Sequence, residues 1–354
     1  MNEIKVRGSI EYNDIHLQRN QLGGGVISEG GYGCVFYPKI TCSGKTTNNT
    51  KYISKLQKIN FFSHNEQHIS SLIKQIDNYD NFFSVILSHC DVSLNKITAK
   101  DMESCENTLN GISKAVLFNL KYINNKNIYS ILTSRNLIKD GVDDDYYKEY
   151  SLKHTIFIII NTYKMILGSL SKLHEHGIIH YDLKHDNVLY DIDRNIPIII
   201  DFGISIDIKQ LNQTTYKKHF YIFYPEYYIW CLDIHYICYL LHVNKSPKKD
   251  EIEEICDKFI KHNSVLKMFS PEFVAKYRTS CIKALSRFIG KDYLFVIEKL
   301  LEQTETWDLY SFSIIYLTIL EFWFARGFEE NSFIIEFSRL LLQNIHPFPE
   351  KRNS

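Results

Sequence analysis

Within His180-Tyr181-Asp182-Leu183-Lys184-His185-Asp186-Asn187 one short loop presents a carboxylate at Asp182, a cation at Lys184 and a carboxamide at Asn187. A further carboxylate, Asp201, opens the tripeptide Asp201-Phe202-Gly203. Phosphoryl transfer asks for such a set. One carboxylate orients the attacking hydroxyl and takes its proton, and side-chain oxygens hold magnesium on the phosphates. Asp182 suits the first task, Asn187 and Asp201 the second.

The elements around these residues can be read from periodicity. Ile156, Ile159, Tyr163, Ile166, Leu170 and Leu173 recur at helical spacing and predict a helix leading into the loop. Residues 188–190 read as a short strand, and 196–200 as a buried strand ending on Asp201. Upstream, 52–56 alternate as a strand carrying Lys55, and Glu66 opens an amphipathic helix through Ile69, Leu72, Ile73 and Ile76. Residues 115–123 read as another strand, 39–50 as a surface loop, and 77–114 give no clear assignment. Ser43-Gly44-Lys45-Thr46 is not a phosphate-binding P-loop, because Lys39 stands where that motif needs glycine.

The loop and tripeptide resemble the catalytic loop and D-F-G motif of eukaryotic-type serine/threonine protein kinases. Ile27 to Val35 resembles that family's glycine-rich turn, with Ser28 in place of its first glycine. Tyr224-Pro225-Glu226 resembles A-P-E, and Trp307-Asp308-Leu309-Tyr310-Ser311-Phe312 the helix start that anchors the catalytic loop, with Asp233 a rival for that anchor.

The resemblance implies an α+β, bilobal protein-kinase-like fold with a small β-rich N-lobe and a larger helical C-lobe. It places an N-terminal extension at 1–25, the nucleotide-binding lobe at 26–122 and the catalytic lobe at 123–354, with a helical insertion about 232–304. It implies ATP held by Ile27, Ser28, Gly30, Gly31, Tyr32, Gly33, Val35, Lys55 and Glu66, with backbone near 121–123 on the adenine edge. Lys51 and Lys58 are weaker alternatives to Lys55. Mg²⁺ would be held by Asn187 and Asp201, with Asp182 and Lys184 as the catalytic pair and protein serine or threonine hydroxyls as acceptors. Glu226 is expected to pair with Arg352, and the family's last helix is expected to be absent or displaced.

Two departures stand out. Tyr181 replaces an arginine that receives an activation-loop phosphate, and residues 219–224 lack the threonine that faces a serine/threonine substrate. A pseudokinase scaffold is the alternative reading, with a small-molecule kinase behind it. The composition and the long insertion resemble the divergent kinases of large DNA viruses.

Composition narrows the remaining classes. The formal net charge is zero, so no global basic field argues for nucleic acid or an anionic membrane. Eight cysteines occur without a C-x-x-C pair, which is read as reduced, buried thiols in a cytoplasmic compartment. The longest apolar runs, such as 157–160, fall short of the ~18 residues of a membrane span. No signal-peptide core is expected at the N-terminus, and Asn2 excludes the glycine that myristoylation requires. Asp143, Asp144, Asp145 and Glu149 form an acidic run read as a solvated face.

Overall fold

The computed structural model describes residues 25–29, 33–97, 105, 109, 111–133, 145–325 and 331–353, without the side chains of 25, 28, 29 and 145–152. Gly30, Gly31, Tyr32, Asp143 and Asp144 lie outside the described residues, as does the extension up to residue 24. The side chains of Ser28, Asp145 and Glu149 lie outside them too. The chain divides into two compact units, 1–127 with 189–203, and 128–188 with 204–354.

The first unit is built on five strands: β1 (Gly25–Glu29), β2 (Gly33–Tyr37), β3 (Tyr52–Gln57), β4 (Ser88–Ser93) and β5 (Lys114–Lys121), in the order β1-β2-β3-β5-β4. All neighbours are antiparallel. Alternation along β5 explains why both faces are covered. Ala115 and Leu117 join a cluster with Cys34, Phe36 and Leu56, while Val116 and Phe118 point the other way to Ile86. β4 falls within 77–114, where periodicity gave no assignment; its exposed Ser88, His89 and Asp91 blur the pattern of a strand at the sheet edge.

Helix α1 (Phe61–Ile73) starts five residues before Glu66, the residue expected to open it. Asn60 caps it by accepting from the Ser63 amide, and Ser63 Oγ accepts in return from the Asn60 amide. The unit is completed by β6 (Asn125–Asn127), β8 (Val188–Asp191) and β9 (Ile196–Ile199), in the order β6-β8-β9.

The second unit is mainly helical. It contains α2 (Ile128–Leu132), α3 (Asp145–Glu175), α4 (Tyr216–His219), α5 (Leu232–His242), α6 (Lys249–His262), α7 (Pro271–Ser286), α8 (Tyr293–Leu301), α9 (Glu305–Phe324) and α10 (Ser332–Asn344). Ser270 caps α7 ahead of Pro271, the start signal legible in the sequence. The two-residue strands β7 (Ile178–Ile179) and β10 (Ile206–Asp207) pair antiparallel.

α9 is apolar nearly all round because it is buried nearly all round. Tyr163 of α3 stacks on Phe312 of α9 at 4.8 Å and meets Phe337 of α10 edge-on at 5.0 Å. Residues 153–175 of α3 are long and apolar enough to cross a membrane by length and composition. Of their apolar positions Ile159, Ile166, Leu170 and Leu173 are buried within the protein, whereas Phe157, Met165 and Leu167 are exposed.

The thiol expectation is corrected in the first unit. Cys34 is bonded to Cys105 and Cys42 to Cys90, while Cys231, Cys238, Cys256 and Cys281 are free and buried in the second. The partners are 71 and 48 residues apart, so only the folded sheet brings them together.

Candidate active site

The catalytic loop leaves β7 at His180 and is gripped from below by α9. Asp308 is fully buried and accepts from the His180 amide at 2.7 Å and the Tyr181 amide at 3.0 Å. Burial alone would raise its pKa; His174, 3.7 Å away, and the His180 amide hold it below the ordinary carboxylate value. Asp308, not its rival Asp233, is therefore the anchor.

Tyr181 adopts φ 68, a left-handed conformation uncommon for a bulky residue. Its ring lies 4.8 Å from that of Trp230, whose indole N–H donates to the Tyr181 carbonyl at 2.8 Å. A buried aromatic thus stands where the resemblance leads one to expect a phosphate-binding arginine.

This frame presents Asp182. Its Oδ2 accepts from Lys184 Nζ at 3.2 Å and Asn187 Nδ2 at 2.9 Å, and Asn187 Nδ2 also reaches the Asp182 carbonyl at 2.8 Å. Oδ1 accepts from the hydroxyl of Tyr227. The structure thus brings Asp182, Lys184 and Asn187 together and adds Tyr227, which the sequence reading missed. Tyr227 lies 45 residues downstream, and nothing in its local pattern points back to the loop.

In the first unit Lys55 donates to Glu66 Oε1 at 3.0 Å and Oε2 at 2.9 Å, and to Asp201 Oδ1 at 2.8 Å. Gln57 adds a bond to Glu66 Oε2 at 3.0 Å. Glu66 is the residue that meets Lys55, and neither Lys51 nor Lys58 takes that place. Two carboxylates share this one ammonium. Burial alone would lower the Lys55 pKa, but Asp201 and Glu66 drive it up; burial raises that of Glu66, with Lys55 opposing and Asp201 adding.

Asp201 has φ 64, and its neighbour Phe202 packs edge-on against Phe83 at 6.0 Å. Asn65 of α1 donates to the Gly203 carbonyl at 3.1 Å. Left-handed backbone at Tyr181 and Asp201 costs roughly 1–3 kcal/mol each, and such strain clusters at functional sites.

Of the glycine-rich segment, Ile27 and Val35 are half-buried on β1 and β2. Gly33 has a structural reason to be glycine. A Cβ there would lie 2.3 Å from the Leu56 carbonyl oxygen of β3.

The expected pairing of Glu226 with Arg352 is overturned. Glu226 is exposed, 3.9 Å from His262. Arg352 instead donates to Asp233 at 2.6 Å, with both side chains nearly inaccessible, and to Thr306 and the His346 carbonyl. An acid at the start of α5 supplies the buried carboxylate that a wholly burial-compatible arginine requires; Glu226 lies in a solvent-facing turn.

Comparison with known proteins agrees with these motifs. Residues 134–227 match the family model for the protein kinase domain. The serine/threonine-protein kinase SKS1 of Saccharomyces cerevisiae is 25% identical over 231 residues, 58% of this chain and 44% of that protein. Calcium/calmodulin-dependent protein kinase type IV of Mus musculus is 29% identical over 137 residues, 35% of this chain and 27% of that protein. The chain thus spans less than half the length of these relatives. A β-rich first unit, a larger helical second unit, the catalytic-loop geometry and these matches together make the fold that of a protein kinase domain.

Proposed function

We propose that the chain is an ATP- and magnesium-dependent serine/threonine protein kinase that transfers the γ-phosphate of ATP to hydroxyls of protein substrates. The observation carrying this reading is the Asp182 carboxylate, held by Lys184 and Asn187 beneath a strained Tyr181.

In this reading Asp182 orients the acceptor hydroxyl and takes its proton. Lys184 offsets charge on the γ-phosphate, and Lys55, aligned by Glu66, binds the inner phosphates. Ile27, Ser28, Gly30, Gly31, Tyr32, Gly33 and Val35 cover the nucleotide.

By the family resemblance Asn187 and Asp201 would each offer an oxygen to a hard cation. Asn187 donates from its amide nitrogen to Asp182, so the oxygen of that carboxamide is the ligand it would offer, and Asp201 would offer a carboxylate. Among the described residues no group of three acidic, histidine or cysteine side chains forms an all-protein metal cage. Magnesium is commonly held by one or two protein carboxylates plus phosphates, and Asp201 is a carboxylate of that kind. When bound it would neutralise the developing phosphate charge.

Composition and the helices between Glu226 and Asp308 support placing the chain beside the divergent kinases of large DNA viruses. A cytoplasmic site of action is supported by the four buried thiols and opposed by the two disulfides.

The pseudokinase reading is favoured only by Ser28 and the altered substrate loop. Magnesium-dependent phosphorylation of a degenerate serine/threonine peptide library, lost in Asp201→Ala, supports the kinase. Nucleotide binding without transfer in the parent protein would point to the scaffold.

A further inference from the structure

The carboxylate of Asp182 has about four lone-pair directions. Lys184 and Asn187 occupy two at Oδ2, and the Tyr227 hydroxyl occupies one at Oδ1. We infer that Tyr227 is a positioning residue for transfer: its phenol fixes the rotation of Asp182 and leaves one lone pair of Oδ1 for the acceptor hydroxyl. The inference rests on the kinase reading above and deepens it.

The phenol is set rigidly. Tyr227 lies in a turn whose amide donates to the Tyr224 carbonyl at 3.0 Å, and its own carbonyl accepts from the Trp230 amide at 3.1 Å. Its ring meets Trp230 edge-on at 5.2 Å, and Trp230 in turn bonds the Tyr181 carbonyl. One aromatic pair therefore ties the segment after Pro225 to the residue preceding Asp182. This rigidity argues for positioning rather than for a swinging gate.

The segment from His219 to Tyr224 contains no serine or threonine hydroxyl, so the donor to the catalytic carboxylate comes instead from residue 227. During transfer the acceptor oxygen bonds to the γ-phosphorus as the bond to the ADP oxygen breaks. ADP leaves with that electron pair, and the acceptor proton passes to the remaining lone pair of Oδ1.

The test is Tyr227→Phe in the full chain, which removes the hydroxyl and keeps the ring on Trp230. The assay follows ATP and a degenerate serine/threonine peptide library. A lost hydrogen bond to a charged group predicts a fall in kcat of about ten-fold or more. KM for ATP should stay within about two-fold, and the melting temperature within about 2 °C. An unchanged or raised kcat overturns the inference, the latter marking Tyr227 as a blocker. A lower melting temperature with activity lost only in proportion to unfolded protein overturns it too, as a purely structural role. A parent protein that transfers no phosphate overturns the kinase reading and this one together, whereas failure of Tyr227→Phe alone leaves the kinase standing.

Discussion

Asp182 is the residue on which the chemistry turns, and its surroundings make its replacement interpretable. Asp182→Asn keeps the planar shape of the side chain, but it turns one accepting oxygen into an N–H donor that faces other donors and it cannot take the acceptor proton. Transfer should fall by ~10²–10⁴, with nucleotide affinity within a few-fold by titration; turnover like the parent's would remove Asp182 from the mechanism. Lys55 has a different neighbourhood, one ammonium between two carboxylates. Lys55→Met leaves Glu66 buried beside Asp201 with no cation. We expect loss of transfer together with destabilisation, read by kinetics and thermal melting, whereas Lys51→Met should do neither. A Lys55 variant with full activity would break the assignment of the phosphate-binding lysine.

Elements are tied together here by covalent and ionic links that lie far apart in sequence. The bond between Cys34 of β2 and Cys105 closes a long loop across one face of the sheet. Disulfides of this kind contribute about 2–4 kcal/mol, chiefly by restricting the unfolded chain. Cys34→Ala with Cys105→Ala should therefore lower the melting temperature, and reductant should do so in the parent but not in a variant lacking both bonds. Differential alkylation that finds eight free thiols in protein purified without reductant would contradict both links. In the helical unit the pair of Asp233 and Arg352 joins the start of α5 to the end of the chain described. Removing one partner strands a buried charge at a cost of about 3–5 kcal/mol. A double-mutant cycle in thermal unfolding should show strong coupling for Asp233 with Arg352 and additive effects for Glu226 with Arg352.

For the whole molecule, part of the acid sensitivity comes from particular buried groups. Burial pushes the fully buried His235 down to about 4 from an ordinary 6.5. The folded protein keeps this imidazole neutral while the unfolded chain protonates it below 6.5. Its contribution is present above that pH and is lost as pH falls toward 4, for a total of about 3 kcal/mol. His219 and His346 are lowered by burial as well and act in the same direction. Denaturation from pH 7 to pH 4 should show falling stability, with a shallower slope in His235→Phe, whose ring can keep the contacts with Trp230 and Phe259. An identical slope in that variant would exclude His235 as a source.

Chemical identity was legible wherever it rests on residues close in sequence. Asp182, Lys184 and Asn187 lie on one loop, Asp201 opens a tripeptide, and helices α3 and α7 announce themselves by apolar spacing or a cap. Local geometry decides such features, so local pattern reveals them. Lys55 and Glu66, 11 residues apart on a strand and the helix that follows, were assigned through the family resemblance. What joins distant residues was legible only where the family resemblance named the partner, as for Asp308 under the catalytic loop. Periodicity cannot say that Cys34 meets Cys105, that Arg352 takes Asp233 over Glu226, or that Tyr227 reaches Asp182. Each partner is chosen by which side chains packing buries together, and a charge or hydroxyl removed from water takes whatever complementary group the fold leaves within reach.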